Sequence, residues 1–158
     1  GISVHLPMAG EKLRINGLEF IVLLPRERLG PQILGAKTET ESVNDTSVVL
    51  KLAYVDFTAL LTGDISSKAE ELLLNSGADL RSKVLKVAHH GSRFSSTEAF
   101  LEAVKPVIAV ISVGKNNRYG HPTKEILERL SKLGVKIFRT DERGDVEVVS
   151  DGEKMWVR

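Results

Sequence analysis

The chemically capable groups of this chain fall at three places. Asp64 sits in Leu61-Thr62-Gly63-Asp64-Ile65, the pair His89-His90 in Val84-Leu85-Lys86-Val87-Ala88-His89-His90-Gly91-Ser92, and His121 in Tyr119-Gly120-His121-Pro122. Carboxylate and neutral imidazole suit hard or borderline divalent ions. An aspartate can bridge two such ions, and a bridged pair would polarise a phosphoryl oxygen and lower the pKa of a bound water. The 158 residues include no cysteine, so thiol nucleophiles, disulfides and cysteine zinc clusters are excluded. Any metal must rest on histidine, carboxylate or water. Ser92, the Gly91 amide and the loop Lys115-Asn116-Asn117-Arg118 offer contacts for an anionic group, and Lys86 and Arg93 flank the histidines. Each group also has a plain reading: an ordinary turn, a structural histidine pair, a helix cap, a solvated basic surface.

Their positions along the chain carry the stronger argument. Ser47 to Tyr54 and Phe57 to Thr62 read as strands joined by a tight turn at Val55-Asp56, with Gly63-Asp64 closing the second. Ser67-x-x-Glu70 has the form of a capping box and predicts a helix to about Ser76, with Ala69, Leu72, Leu73 and Ser76 as its buried stripe and Gly77 as its stop. Val84 to Ala88 is a strand that leads into His89-His90. Ser95-x-x-Glu98 predicts a second capping box and a helix to Val104. Val107 to Val113 is the next strand, and the polar loop Gly114 to His121 follows it. Pro122 suits the first turn of a third helix, which carries Ile126, Leu127, Leu130 and Leu133 and ends at Gly134. Asp64, His89-His90 and His121 therefore follow successive strand ends. Ligand sites of open α/β sheets collect outside the carboxyl ends of strands, so these groups are expected to converge.

The remaining elements are simpler. Leu13 to Ile15 and Leu18 to Leu24 form an expected hairpin, because Asn16-Gly17 is a strong two-residue turn signal. Pro25 to Asp45 lacks periodicity and reads as a long loop. Val135 to Phe138, Val146 to Val149 and Met155 to Val157 read as closing strands. The alternation of strand and helix predicts an α/β domain. A formal net charge of +1 neither selects nor excludes a polyanionic substrate. Leu18 to Pro25, the strongest apolar run, is far too short to span a bilayer, and no Walker loop, dinucleotide glycine fingerprint or nucleophile elbow is present. The abrupt opening at Gly1, straight into Ile2-Ser3-Val4-His5-Leu6, is what a piece of a longer chain would show.

The three motifs together are similar to one branch of the metallo-β-lactamase superfamily, the branch that includes the C-terminal domain of bacterial competence DNA-uptake channel proteins and phosphocholine esterases. Asn44-Asp45-Thr46-Ser47-Val48-Val49-Leu50 and Arg139-Thr140-Asp141-Glu142-Arg143-Gly144-Asp145-Val146 resemble it too, so the likeness covers most of the chain from Asn44 onward. The resemblance implies one half of an αββα sandwich, a mixed sheet with helices on one face, spanning residues 1–158. It implies that Asp64 bridges two divalent ions, zinc or manganese. The His89-His90 pair matches the final metal histidine: His90 is read as the ligand, with His89 facing the substrate phosphate. His121 is implied to contact the substrate or its leaving group, with Ser92 assisting and Lys115, Asn116 and Arg118 binding the anion. One departure is large. The superfamily's His-x-His-x-Asp-His motif is absent, and His5 has no context that would replace it.

The expectation is thus a metal-dependent hydrolase, foremost a phosphodiesterase acting on single-stranded DNA. Its two ions would be shared with an N-terminal half outside this chain, and catalysis would need that half. Two alternatives stand beside it: hydrolysis of a small phosphocholine-type ester or lactone, and a non-catalytic binding or assembly module. A soluble domain is expected, carried by a bacterial membrane protein in the case of the uptake channels.

Overall fold

β-Branched and apolar residues cluster in short runs, and these runs build one sheet. The computed structural model of the chain describes residues 5–27 and 43–158; most of the loop expected from Pro25 to Asp45 lies outside the described residues. The strands are β1 (Lys12–Ile15), β2 (Leu18–Leu24), β3 (Val49–Tyr54), β4 (Phe57–Leu61), β5 (Val84–Lys86), β6 (Ile108–Ile111) and β7 (Lys136–Arg139), and they lie side by side in chain order. From β1 to β4 the neighbours are antiparallel; from β4 to β7 they are parallel. Asn16 and Gly17 both adopt positive φ, which the two-residue turn between β1 and β2 requires. Tyr54 pairs with Phe57, so Val55-Asp56 is the turn between β3 and β4.

Parallel neighbours need crossovers, and three helices supply them: α1 (Ser67–Leu74), α2 (Glu98–Val104) and α3 (Lys124–Lys132). All three pack on the same face of the sheet. Ala69, Leu73, Phe100, Leu101, Val104, Ile126 and Leu130 join Leu60, Leu85, Ala109 and Ile111 in one buried cluster. On the opposite face a smaller cluster of Ala59, Val84 and Ile108 is partly covered by the two-stranded sheet of β8 (Val148–Ser150) and β9 (Met155–Val157). The architecture is α/β, with a mixed sheet and its three crossover helices on one face. A short helix, α4 (Thr140–Arg143), follows β7 where the sequence showed no helical periodicity.

Helix starts differ from the sequence expectation in an instructive way. The cap of α1 is Ser66, whose hydroxyl accepts the Lys68 N–H, not Ser67. Glu70 does not close a capping box. It is fully buried, and its carboxylate accepts the backbone N–H groups of Ser96 and of Thr97, the latter at 2.9 Å. The cap of α2 is Thr97, not Ser95. Buried Ser95 instead donates its hydroxyl to the carbonyls of Ala88 and Ser92. Pro122 lies before the α3 cap, Thr123, rather than in its first turn, and the His121–Pro122 peptide is cis. Leu72 is half exposed, and Glu70 takes its place in the interior. Short polar residues crowd these helix starts, and which one caps depends on neighbours brought in by folding.

Candidate functional site

The strand ends meet as the topology requires. Thr62 donates to the Lys86 carbonyl at 2.7 Å, tying the end of β4 to β5. Gly63 then turns with φ +58, and a Cβ there would lie 2.7 Å from the Ser47 Cβ. Only glycine fits so close to that neighbour. The turn lets the Asp64 N–H donate to the Ser47 hydroxyl at 3.1 Å and leaves the carboxylate half exposed at the rim.

After β5 the chain turns tightly over Ala88–Gly91, with non-helical backbone at the two histidines. His89 and His90 both take left-handed backbone angles, φ +48 and +56. Such angles disfavour side-chain-bearing residues by about 1–2 kcal/mol each. Two in succession are held by the surroundings: the His89 N–H donates to the Gly63 carbonyl at 3.3 Å, and Ser95 holds the carbonyls of Ala88 and Ser92. Strain of this kind concentrates at functional sites. Gly91 follows with φ +83, where a Cβ would come within 2.6 Å of the Pro122 Cβ, and its carbonyl accepts the Thr123 N–H. The histidine turn and the His121 loop are thereby packed against each other.

The two histidines have different roles in this geometry. His90 Nδ1 lies 2.7 Å from the Ser112 carbonyl, just past β6. A carbonyl oxygen only accepts, so Nδ1 carries a proton, and Nε2 is the nitrogen left to face Asp64. Nε2 is 3.5 Å from Asp64 Oδ2. His89 points elsewhere: its ring is edge-on to that of His121, with centroids 5.8 Å apart, and its Nε2 lies 3.5 Å from the Asn44 side-chain amide. His121 is held by Asn117, which accepts the His121 N–H at 2.9 Å and donates to the His121 carbonyl at 2.7 Å. Its Nδ1 is buried without a hydrogen-bond partner among the described residues. Burial, reinforced by His89 and His90, pushes its pKa below the ordinary histidine value, which favours the neutral ring at neutral pH.

Lys86 completes the cluster. Its ammonium donates to the Gly63 carbonyl at 2.9 Å and lies 3.5 Å from Asp64 Oδ1. Burial lowers its pKa, and Asp64 opposes that shift. The two carboxylate oxygens of Asp64 thus face different partners, Lys86 on one side and His90 on the other.

Asp64, His89, His90 and His121 come together, as their strand-end placement predicts. Ser92 is buried, with its hydroxyl accepting the Phe94 N–H. Lys115, Asn116 and Arg118 are exposed in the loop that ends at His121. His5 pairs with Glu11 at 2.6 Å. Sequence reasoning missed the Ser112 carbonyl, which has no side-chain signature, and read Asn117 as an anion contact when its amide braces the loop.

The donor set fits a divalent ion in part. Two ligand atoms on one tetrahedral zinc stand about 3.3 Å apart for bonds of ordinary length. Asp64 Oδ2 and His90 Nε2 match that spacing, and a histidine whose other nitrogen donates to a carbonyl is the usual outer-sphere arrangement of a metal ligand. Among the described residues, no group of three or more His, Asp or Glu is placed to hold an ion. No helix of the described residues is long and apolar enough to cross a membrane.

No protein-family model matches the chain. Curated proteins do. It is 33% identical over 147 residues to ComE operon protein 3 of Bacillus subtilis, an alignment covering 93% of this chain and 18% of that protein. It is 36% identical over 140 residues to competence protein ComA of Neisseria gonorrhoeae, covering 88% of this chain and 19% of the relative. Recombination protein 2 of Haemophilus influenzae is 31% identical over 140 residues, covering 89% of this chain and 16% of that protein. This chain spans less than a fifth of the length of these relatives, and over most of its own length it belongs with them as a homologue of one segment of each; two of the three are named for competence or recombination.

Proposed function

We propose that this chain is one half of a metallo-β-lactamase-type αββα sandwich that contributes to metal-dependent cleavage of DNA phosphodiesters during DNA uptake. The observation that carries the reading is the orientation of His90. Its Nδ1 is committed to the Ser112 carbonyl, and its Nε2 faces the Asp64 carboxylate across 3.5 Å. That arrangement presents two anchored donors for one ion. Two of the relatives are named for competence and for recombination, and these names supply the DNA context.

Asp64 and His90 would hold zinc or manganese, together with ligands from outside this chain. When bound, the ions would supply Lewis-acid polarisation of a phosphoryl oxygen. The remaining roles belong to this chain's residues. Lys86 balances the charge of Asp64 and fixes the carboxylate through the Gly63 carbonyl. His89 and His121 pack edge to face next to the ligand pair, and a neutral His121 would accept or pass a proton near the leaving group. Lys115, Asn116 and Arg118 are free to meet backbone phosphates at the open rim.

The test uses the full protein that carries this chain, incubated with manganese or zinc and single-stranded DNA. Release of nucleotides, abolished by chelation, is expected. A protein that is metal-loaded and stable yet inert on every phosphodiester tested, DNA and small esters alike, would sink the hydrolase reading. A non-catalytic binding module is favoured by one observation, the lack of a third donor among the described residues. It predicts DNA retention with no metal bound at Asp64.

A further inference from the structure

Tyr119 is the most exposed large side chain among the apolar and aromatic residues described, at 82%. Yet it is not a loose loop tip. Its ring lies nearly parallel to that of His121, at 20° with centroids 6.0 Å apart, and the His121 ring in turn abuts His89 at 5.8 Å. Its backbone N–H donates to Asn117 Oδ1, the same atom that accepts the His121 N–H. The phenol ring therefore stands beside the imidazole in a nearly parallel plane, with most of the side chain open to solvent. The same loop, Gly114 to His121, contains Lys115 and Arg118 and no acidic residue.

We propose that the open face of Tyr119 is a stacking platform for a nucleobase, seating one unpaired base beside the phosphodiester presented to the histidine rim. An aromatic ring held in place and flanked by cations is the general means by which proteins grip single-stranded nucleic acid without reading its sequence. Stacking needs an exposed base face, so the ligand class is single-stranded, base-bearing DNA rather than duplex. Arg118, adjacent in sequence and exposed, would supply the cation for the adjoining phosphate. The proposal rests on the reading of this rim as a site for a DNA phosphodiester.

The experiment measures binding by fluorescence anisotropy, using the full protein that carries this chain, its Tyr119→Ala variant and its Tyr119→Phe variant. The two probes are a short oligothymidylate and an abasic oligomer of the same length. Tyr119→Ala is expected to weaken oligothymidylate binding by about 5- to 150-fold and to leave the abasic oligomer unchanged, while Tyr119→Phe stays near wild type. Equal loss on both probes, loss on neither, or no binding of either probe by the wild type overturns the proposal. Cleavage followed in parallel separates it from the nuclease reading. Base-selective binding without any cleavage leaves the platform standing and counts against the hydrolysis alone.

Discussion

The carboxylate of Glu70, on α1, accepts the backbone N–H of Thr97, the residue that caps α2, at 2.9 Å. It accepts the Ser96 N–H as well. Arg129, on α3, donates to the carbonyls of Ser95 and Ser96 at 3.2 and 3.3 Å. One fully buried acid and one arginine thus pin the segment that continues from the histidine turn. The site is held from behind, by residues that never face it.

Replacing Glu70 should expose this dependence. Glu70→Ala leaves two N–H groups unsatisfied in the interior, and a loss of about 2–4 kcal/mol in chemical denaturation is expected. Glu70→Gln keeps an acceptor and should lose less. Equal stability of wild type and Glu70→Ala would mean the segment does not need the carboxylate.

The same residue sets a pH dependence. Burial raises the Glu70 pKa, against the opposing pull of the Thr97 and Ser96 N–H groups. Below the ordinary glutamate value, native and unfolded chains both hold the proton. Between that value and the raised native one, only the native chain holds it, so stability falls as pH rises across this window. The stability of wild type relative to Glu70→Gln should therefore decline from acid towards neutral pH in urea titrations. A difference that grows with rising pH would contradict the raised pKa.

Asp79 gives the opposite sign. Its carboxylate accepts from buried Lys51 at 2.6 Å, and that hydrogen bond holds its pKa below the ordinary value. The stabilisation is present above the unfolded-state pKa and is lost as pH falls through the lower native one. Asp79→Ala should cost about 1–2 kcal/mol at neutral pH, reduced by the exposure of the carboxylate. The difference from wild type should vanish in strong acid; a difference that persists there would assign it to something other than charge.

Gly91 should tolerate no side chain. Its positive φ alone disfavours alanine by about 1 kcal/mol, and the Cβ would collide with Pro122. Gly91→Ala is expected to lower the melting temperature and to disturb His90 and His121 together, visible as shifts in their imidazole NMR signals. Unchanged imidazole signals would show that the two loops are not coupled through this contact.

The proposed ligands and the substrate-facing histidines should separate in metal analysis of the full protein. Asp64→Ala and His90→Ala are expected to lower metal content and abolish turnover while the fold persists. His89→Ala and His121→Ala should retain the metal and turn over at least about tenfold more slowly, as removal of an acid–base group does. Loss of metal from His121→Ala equal to that from Asp64→Ala would make His121 a ligand.

The sequence alone placed Asp64, His89-His90 and His121 after successive strands, because strand and helix periodicities are local properties of the chain. It also identified the Asn16-Gly17 hairpin and, in Ile126 and Leu130, the buried residues of α3, although Leu133, expected on the same face, is exposed. It misassigned the caps at Ser67 and Ser95, because serine, threonine and glutamate serve several hydrogen-bonding arrangements equally well until distant partners arrive. Glu70 reads locally as a helix-start acid, and only the approach of Ser96, 26 residues later, turns it into a buried anchor. The partner of His90 is a main-chain carbonyl at Ser112, a group that every residue possesses and no pattern can mark. Which nitrogen of His90 is left open, and which oxygen of Asp64 faces it, was decided by the parallel packing of β4, β5 and β6, since hydrogen-bond direction depends on three-dimensional neighbours and not on spacing along the chain.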